Sequence, residues 1–424
     1  MLRVGLTGGI ACGKSRVRRR LAAAGLGTLD LDAVAHEMIA PGGPAYDDVV
    51  TTFGRGILAT DGTVDRKVLG ARVFADAAAR AELNALVHPH VRDEEARRAA
   101  AHATAGGRVF VTDAALLVEA GLHLRFDRLV VVDCEGGEQL RRLVARDGIE
   151  EPAAQARIAS QMPAAEKRRF AHIVFDASGS LEATDALAVR LAAELAALAE
   201  HLPARPPVPE ATVLAALRRG PAQGPRGLDP AAWATAVAAA GGMEMERLKR
   251  LLVPTFDGPW LAAAPTPAPP GPGPETLSLV VGLWSLVRRG LDPEFTAAAM
   301  FSMAYLTDRD AARTAGACLV SLAAAQLGAG LRPTDDERAG WAATAEKRAG
   351  APVPSWAHAI VDAARQEPID RERGREEARA AGIDPRLIDG LIAGAASAPV
   401  PEAPPAVVEA ARALVRSGST SDPS

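Results

Sequence analysis

The run GLTGGIACGKSR, Gly5 to Arg16, follows directly on a short apolar opening and constrains the fold more than any other stretch of this 424-residue chain. Glycine-rich runs make poor helices and poor strands, so bare backbone there must serve another purpose. Gly8-Gly9-Ile10-Ala11-Cys12-Gly13-Lys14-Ser15 reads G-x-x-x-x-G-K-[ST], set between an apolar strand and the helical pattern SRVRRRLAAAG, with Gly25 as the helix stop. Strand, loop and helix in that order are the setting in which such a loop wraps phosphate. Its glycines let successive N–H groups turn inward without Cβ clashes, and the helix start behind them favours an anion. Lys14 brings a full positive charge to the β- and γ-phosphates, and the Ser15 hydroxyl is a candidate Mg²⁺ ligand. Cys12 inside the loop invites a reactive-thiol reading, because a helix start beside a lysine acidifies a thiol. A small side chain, tolerated where the backbone does the binding, is the plainer reading.

A phosphate loop of this kind sits on a parallel sheet, and residues 1–200 carry the matching pattern. RVGLT (3–7), GTLDLD (27–32), RVFVTDAAL (108–116), RLVVVDC (128–134) and HIVFDA (172–177) read as strands with helical stretches between them, which predicts an α/β unit. Residues 33–107 hold only helical and turn patterns, too long for a simple crossover, and predict an inserted helical subdomain. HLPARPPVPE (201–210) and APTPAPPGPGPE (264–275) then break the pattern. They divide the chain into residues 1–200, a proline-rich linker region with short helices at 201–275, a mainly α-helical domain at 276–415 and a disordered tail at 416–424.

A formal charge of −4 argues against a nucleic-acid partner. Cys12, Cys134 and Cys318 are odd in number and far apart, with no disulfide framework or zinc spacing, as expected for a reducing compartment. No apolar run is long enough for a bilayer and the opening lacks a leader pattern, so a cytoplasmic protein without a membrane partner is expected.

The second strand pattern narrows the chemistry. In GTLDLD the alternation of Asp30 and Asp32 predicts both on one face of a strand whose end lies beside the loop. A carboxylate there can take a proton from an attacking hydroxyl or hold Mg²⁺ through water. An N-cap on the helix AVAHEMI is the competing role for Asp32.

At this point residues 1–200 resemble the dephospho-CoA kinase family. LTGGIACGKS resembles its phosphate loop and LDLDAVAHE its D-x-D segment. FGRGILATDGTVDRKVLGARVFAD, LNALVHPHV, ALLVEAGL, EQLRRLVARDG and RIASQMP follow in the family's order and spacing. The resemblance implies a P-loop NTPase fold like that of nucleoside-monophosphate kinases, with a helical insertion and a lid. It implies transfer of the ATP γ-phosphate to the 3′-hydroxyl of dephospho-CoA. Carried over by position, Gly8, Gly9, Ala11, Cys12, Gly13, Lys14, Ser15 and Arg16 cradle ATP with Mg²⁺. Asp32 becomes the base or orienting carboxylate, and Arg142 and Arg146 of the lid face the phosphates. His88, before a Pro89 that should interrupt its helix, becomes a substrate-side candidate. The basic run RVRRR (16–20) reads as an exposed helix face.

The chain departs from the family pattern at Ala115, where proline is common. It departs again at His172, where the usual pair is Ala-Asp, and at Ala177, where asparagine is usual near the adenine. The half beyond about residue 205 lies outside the resemblance. It holds every tryptophan and offers a surface for a protein partner or self-association. Its acidic run Asp335, Asp336, Glu337 fits a helix start better than a metal site. Two other readings stay open: another P-loop small-molecule kinase, and a nucleotide-responsive interaction protein acting through the helical half.

Overall fold

In the computed structural model, the structure describes residues 1–203, 208–221, 231–232, 234–235, 273–307, 310–365, 368–395 and 403–419. Most of the expected linker, and the end of the expected tail, lie outside these residues.

Five strands form one sheet in the order β2-β3-β1-β4-β5, and every neighbouring pair is parallel. They are β1 (Leu2–Gly8), β2 (Gly27–Asp30), β3 (Val109–Asp113), β4 (Arg128–Asp133) and β5 (Ile173–Asp176). Parallel pairing demands crossovers, and helices supply them. Helix α1 (Lys14–Ala23) leaves the glycine loop, and Gly25 beyond it takes φ +89°, the left-handed turn that ends the helix. The insertion consists of α2 (Leu31–Met38), α3 (Tyr46–Phe53), α4 (Arg66–Ala75) and α5 (Ala77–Thr104). Pro89 does not interrupt α5, contrary to expectation. The helix runs through it for 28 residues, with Val87 and Val91 buried in the insertion's core on either side. Tertiary packing there outweighs the lost backbone hydrogen bond.

The lid comprises α6 (Gly136–Asp147) and α7 (Glu151–Ala159); α8 (Ala164–Arg168) leads out of it, and α9 (Leu181–Glu200) returns along the sheet. One sheet face buries Val4, Leu6, Val111 and Val132 against Val17 and Leu21 of α1 and Leu191 and Leu195 of α9. The run RVRRR is not a free face. Arg16 and Arg20 both reach Asp185 of α9, and Arg18 turns to the sheet edge.

The helical half begins within the expected linker, at α10 (Glu210–Arg219). It continues through α11 (Ser278–Arg289), α12 (Pro293–Thr307), α13 (Ala311–Gly328), α14 (Asp335–Ala349), α15 (Ser355–Arg365), α16 (Pro368–Ala380), α17 (Arg386–Ala395) and α18 (Pro405–Ser419). Residues 416–419, expected in the tail, extend the last helix, where Leu414 and its neighbours are buried against the bundle. Thr334 caps α14 reciprocally with Glu337, so the acidic run is a helix start.

The two halves are not independent. Leu124, Phe126, Leu129 and Phe170 of the first half share one core with Trp284, Phe295 and Phe301 of the second. Buried ion pairs cross the seam, Arg289–Asp127 at 2.6 Å and Arg128–Asp292 at 2.6 Å, and His123 bonds Ser302 at 3.0 Å. The second face of the sheet is therefore closed by the insertion at one end and by the helical half at the other. Among the described residues, no helix is long and apolar enough to cross a membrane.

Candidate active site

Every strand but the central one ends on aspartate at the carboxyl edge: Asp30, Asp113, Asp133 and Asp176. Ligands of open parallel sheets bind at this edge, and so many carboxylates need cations beside them. Lys14, the first residue of α1, places Nζ on Asp113 Oδ1. Arg18, one turn further, reaches Asp113 at 3.1 Å and Asp30 at 3.2 Å. Burial raises the pKa of Asp113, and the Lys14 ammonium opposes that shift. Lys14 is thus held by a carboxylate it can exchange for phosphate.

The loop between β1 and α1 is shaped by contacts that only small residues permit. A Cβ on Gly8 would lie 2.2 Å from the Val132 carbonyl oxygen. Gly13 takes φ +93°, and Ala11, at φ +60°, is the non-glycine residue with positive φ among the described residues, a strain of about 1 kcal/mol that marks functional backbone. Ile10 is pinned on both sides: its N–H donates to Gln161 Oε1 at 2.8 Å, and its carbonyl accepts from Gln139 Nε2 at 2.8 Å. Both glutamines come from the lid side, so loop and lid touch directly.

Cys12 is buried and its thiol meets that of Cys134, although the two are far apart in sequence; all three cysteines are free. The contact with Cys12, together with burial, holds the Cys134 thiol above its ordinary range. The packed-residue reading of Cys12 agrees with this placement.

Asp32 departs from expectation. The strand stops at Asp30, and Asp30 is the N-cap, accepting from the Ala33 N–H at 3.1 Å. Asp32 lies in the first turn of α2, not on the strand face, because helix capping overrides the period-two reading of Leu-Asp-Leu-Asp. Asp32 is exposed to solvent. The surrounding protein raises its pKa, Lys14 opposes, and Asp30 adds to the rise.

Arg142 stands beside the loop, its guanidinium 3.8 Å from where a Cβ on Gly13 would lie. It is held by Glu138 at 2.6 Å and the Ala177 carbonyl at 2.9 Å. Arg146 does not face the loop: it pairs with Asp147 at 2.7 Å and is exposed, one helical turn beyond Arg142. The Arg16 side chain is likewise committed to Asp185, leaving its backbone for the loop. His88 sits partly buried in α5, where burial lowers its pKa. Among the described residues, no hydrogen bond joins His88 to the loop. Ser15 is exposed at the start of α1.

An Mg²⁺ ion fits this donor set. The Ser15 hydroxyl and the Asp32 and Asp113 carboxylates are hard oxygens. Among the described residues, no cluster of three or more His, Cys, Asp or Glu side chains is placed to hold a metal ion. Asp113, Arg18, Gln139 and Gln161 are site residues that sequence reasoning missed. The signal for Asp113 was available, since an apolar strand ending in aspartate beside a phosphate loop has few other uses. The glutamines carried no pattern.

The profile of the dephospho-CoA kinase family matches residues 2–183. The dephospho-CoA kinase of Corynebacterium efficiens is 45% identical over 195 residues, which are 46% of this chain and 98% of that protein. The chain belongs to the dephospho-CoA kinase family. The Geobacter sulfurreducens dephospho-CoA kinase is 45% identical over 179 residues, 42% of this chain and 91% of that protein. A solved structure, TT1252 from Thermus thermophilus, is 31% identical and covers 46% of this chain and 97% of its own, with a TM-score of 0.40. The helical half lies outside all these matches.

Nothing in the structure explains alanine at 115 or 177, where the contacts are to backbone carbonyls, whereas His172 makes contacts through its own ring. The Ala115 carbonyl accepts from the Thr7 hydroxyl at 2.9 Å and from Lys167 at 3.1 Å. His172 accepts the Leu129 N–H at 3.0 Å and lies beside Arg348 of the helical half, where burial pushes its pKa well down. Ala177 is buried, and its carbonyl is taken by Arg142.

Proposed function

We propose that the protein transfers the γ-phosphate of ATP to the 3′-hydroxyl of dephospho-CoA, giving coenzyme A and ADP, as the last step of coenzyme A synthesis. The observation that carries this reading is the Lys14–Asp113 pair at the phosphate loop, in a chain of which 195 residues are 45% identical to 98% of a dephospho-CoA kinase.

Lys14 gives up Asp113 and meets the β- and γ-phosphates, while the N–H groups of Ala11, Gly13, Lys14 and Ser15 surround the anion. Asp113 is then left to Arg18, so its charge stays compensated. Asp32 accepts the proton of the attacking hydroxyl; its raised pKa brings its basicity nearer to that task. Arg142 meets charge on the equatorial oxygens from the lid side, and Arg146 joins only if the lid moves. Gln139 and Gln161 hold the loop against the lid and help exclude water from a site where it would compete as acceptor. Bound Mg²⁺ would be held by Ser15, with Asp32 and Asp113 acting through water, and would supply charge neutralisation between the phosphates. Residues 1–200 are the transferase unit. Three free cysteines suit a cytoplasmic setting.

The test is ADP release in the presence of dephospho-CoA, compared with nucleosides and other small alcohols. Release that depends on dephospho-CoA supports the reading. Equal rates with another hydroxyl, or none with dephospho-CoA, overturn it in favour of a different P-loop kinase. A pH profile sharpens the role of Asp32. Turnover should fall on the acid side with an apparent pKa above the ordinary aspartate value of about 4, and Asp32→Asn should remove that limb together with about 100-fold of kcat.

A further inference from the structure

The segment leaving the lid, residues 161–172, is gripped from two sides. On the kinase side, Gln161 accepts the Ile10 N–H of the phosphate loop at 2.8 Å. Lys167, buried, pairs with Glu119 at 2.7 Å, and Arg168 pairs with Asp133 at 2.8 Å. On the other side stand residues of the helical half, with His123 of the first half edge-on to Phe170 at 5.3 Å. The Tyr305 hydroxyl donates to Glu166 at 2.8 Å. Phe170 stacks edge-on against Tyr305 and Phe301 at 5.0 and 5.3 Å. Arg348, buried between the halves, donates to the Ala171 carbonyl at 2.7 Å and the Arg169 carbonyl at 3.4 Å.

We infer that the helical half holds the exit of the lid in register with the phosphate loop, with Tyr305 and Arg348 as positioning residues for nucleotide binding. The path is short and physical: Tyr305 and Arg348 fix residues 166–171, which fix Gln161, which fixes Ile10. Each link is a hydrogen bond or a buried ring contact. The loop it ends on is the strained one, with Ala11 at positive φ next to Ile10, so a loop held in place needs less ordering when phosphate arrives. A hydrogen bond to a carboxylate from a phenol and a buried guanidinium on two carbonyls are directional contacts; a merely space-filling bundle would not need them. This inference rests on the proposed kinase activity only for its kinetic arm.

The test uses the full chain. Tyr305→Phe keeps the ring and deletes the hydroxyl's bond to Glu166; Arg348→Lys keeps the charge and deletes the guanidinium. Each should raise KM for ATP, and the Kd of a non-hydrolysable ATP analogue, by about 5-fold while leaving KM for dephospho-CoA unchanged. Hydrogen exchange in residues 161–171 should accelerate in both variants. Glu166→Gln, which still accepts the phenol, should behave as wild type. Tyr305→Phe combined with Glu166→Ala should lose no more than the worse single change. Arg412→Ala, which breaks an exposed pair with Glu210 on the outer helices, should change none of these values. Tryptophan fluorescence melting confirms that each variant is folded. Folded Tyr305→Phe and Arg348→Lys with wild-type nucleotide affinity and exchange would overturn the inference. A wild-type chain that binds the analogue but ignores dephospho-CoA would overturn the proposed function instead, and the affinity and exchange arms would still decide this one.

Discussion

The carboxyl edge of the sheet and the seam between the halves both gather charge, and they treat it differently. At the edge, the buried Asp113 carboxylate is shared between Lys14 and Arg18, Arg18 also reaches Asp30, and Lys14, Arg18 and Asp30 remain reachable from solvent. At the seam, Arg289 meets Asp127 with side chains 7% and 5% exposed, a committed pair with no room for a ligand. Charge that is shared and accessible is available for exchange with phosphate. Charge that is paired and dry is structural, because breaking such a pair leaves its partner uncompensated. Substitutions at the edge should therefore change rate, and those at the seam should change stability.

Lys14→Ala is the strongest test of that division. It should lower kcat/KM for ATP by about 1,000-fold or more, with a melting temperature close to wild type because Arg18 still covers Asp113. A comparable loss of stability would erase the contrast. Asp127→Asn should do the reverse, lowering the unfolding free energy by about 3 kcal/mol in a urea titration while turnover per folded molecule stays near wild type.

The seam also predicts a pH dependence. His123 is pushed down to about 3 by burial, beside Ser302 and near Arg348, and His172 is depressed beside Arg348, Arg128 and the Glu294 backbone. The folded state keeps both neutral, whereas the unfolded chain protonates them near pH 6.5. Stability is therefore complete above that value and is lost as pH falls from about 6.5 toward the folded pKa. At pH 5 the loss from His123 should be about 2 kcal/mol, read as a falling melting temperature that His123→Gln flattens. A melting temperature independent of pH between 7 and 5 would contradict the dry seam. The smallest effect concerns Cys12→Ala, which should alter kcat by less than about 2-fold, since its thiol is packed against Cys134 and not presented to nucleotide.

The phosphate loop was legible in the sequence because its chemistry is local: glycines, lysine and helix start occupy neighbouring positions and no distant residue is needed to recognise them. The parallel sheet and its insertion were legible for the same reason, from short apolar runs and the long gap between the second and third. Asp32 was misplaced because Leu-Asp-Leu-Asp satisfies strand alternation and helix capping alike, and only the fold decides where a strand ends. Pro89 was misread because the packing that carries α5 past it comes from other elements. The seam could not be read at all. His123 and Ser302, or Arg128 and Asp292, are ordinary residues at a long separation, and neither side carries a periodic signal that names its partner.

That separation has a consequence during synthesis. The seam contacts join residues 164 and 179 positions apart, and chains dominated by such distant contacts fold slowly. A ribosome that has released residues 1–200 will have made a sheet with Leu124, Phe126, Leu129 and Phe170 uncovered, and their cover, Trp284, Phe295 and Phe301, is translated later. Until it arrives, the nascent chain presents that greasy face to chaperones and to other unfinished copies. Slow translation or a premature stop late in the message should therefore appear first as aggregation.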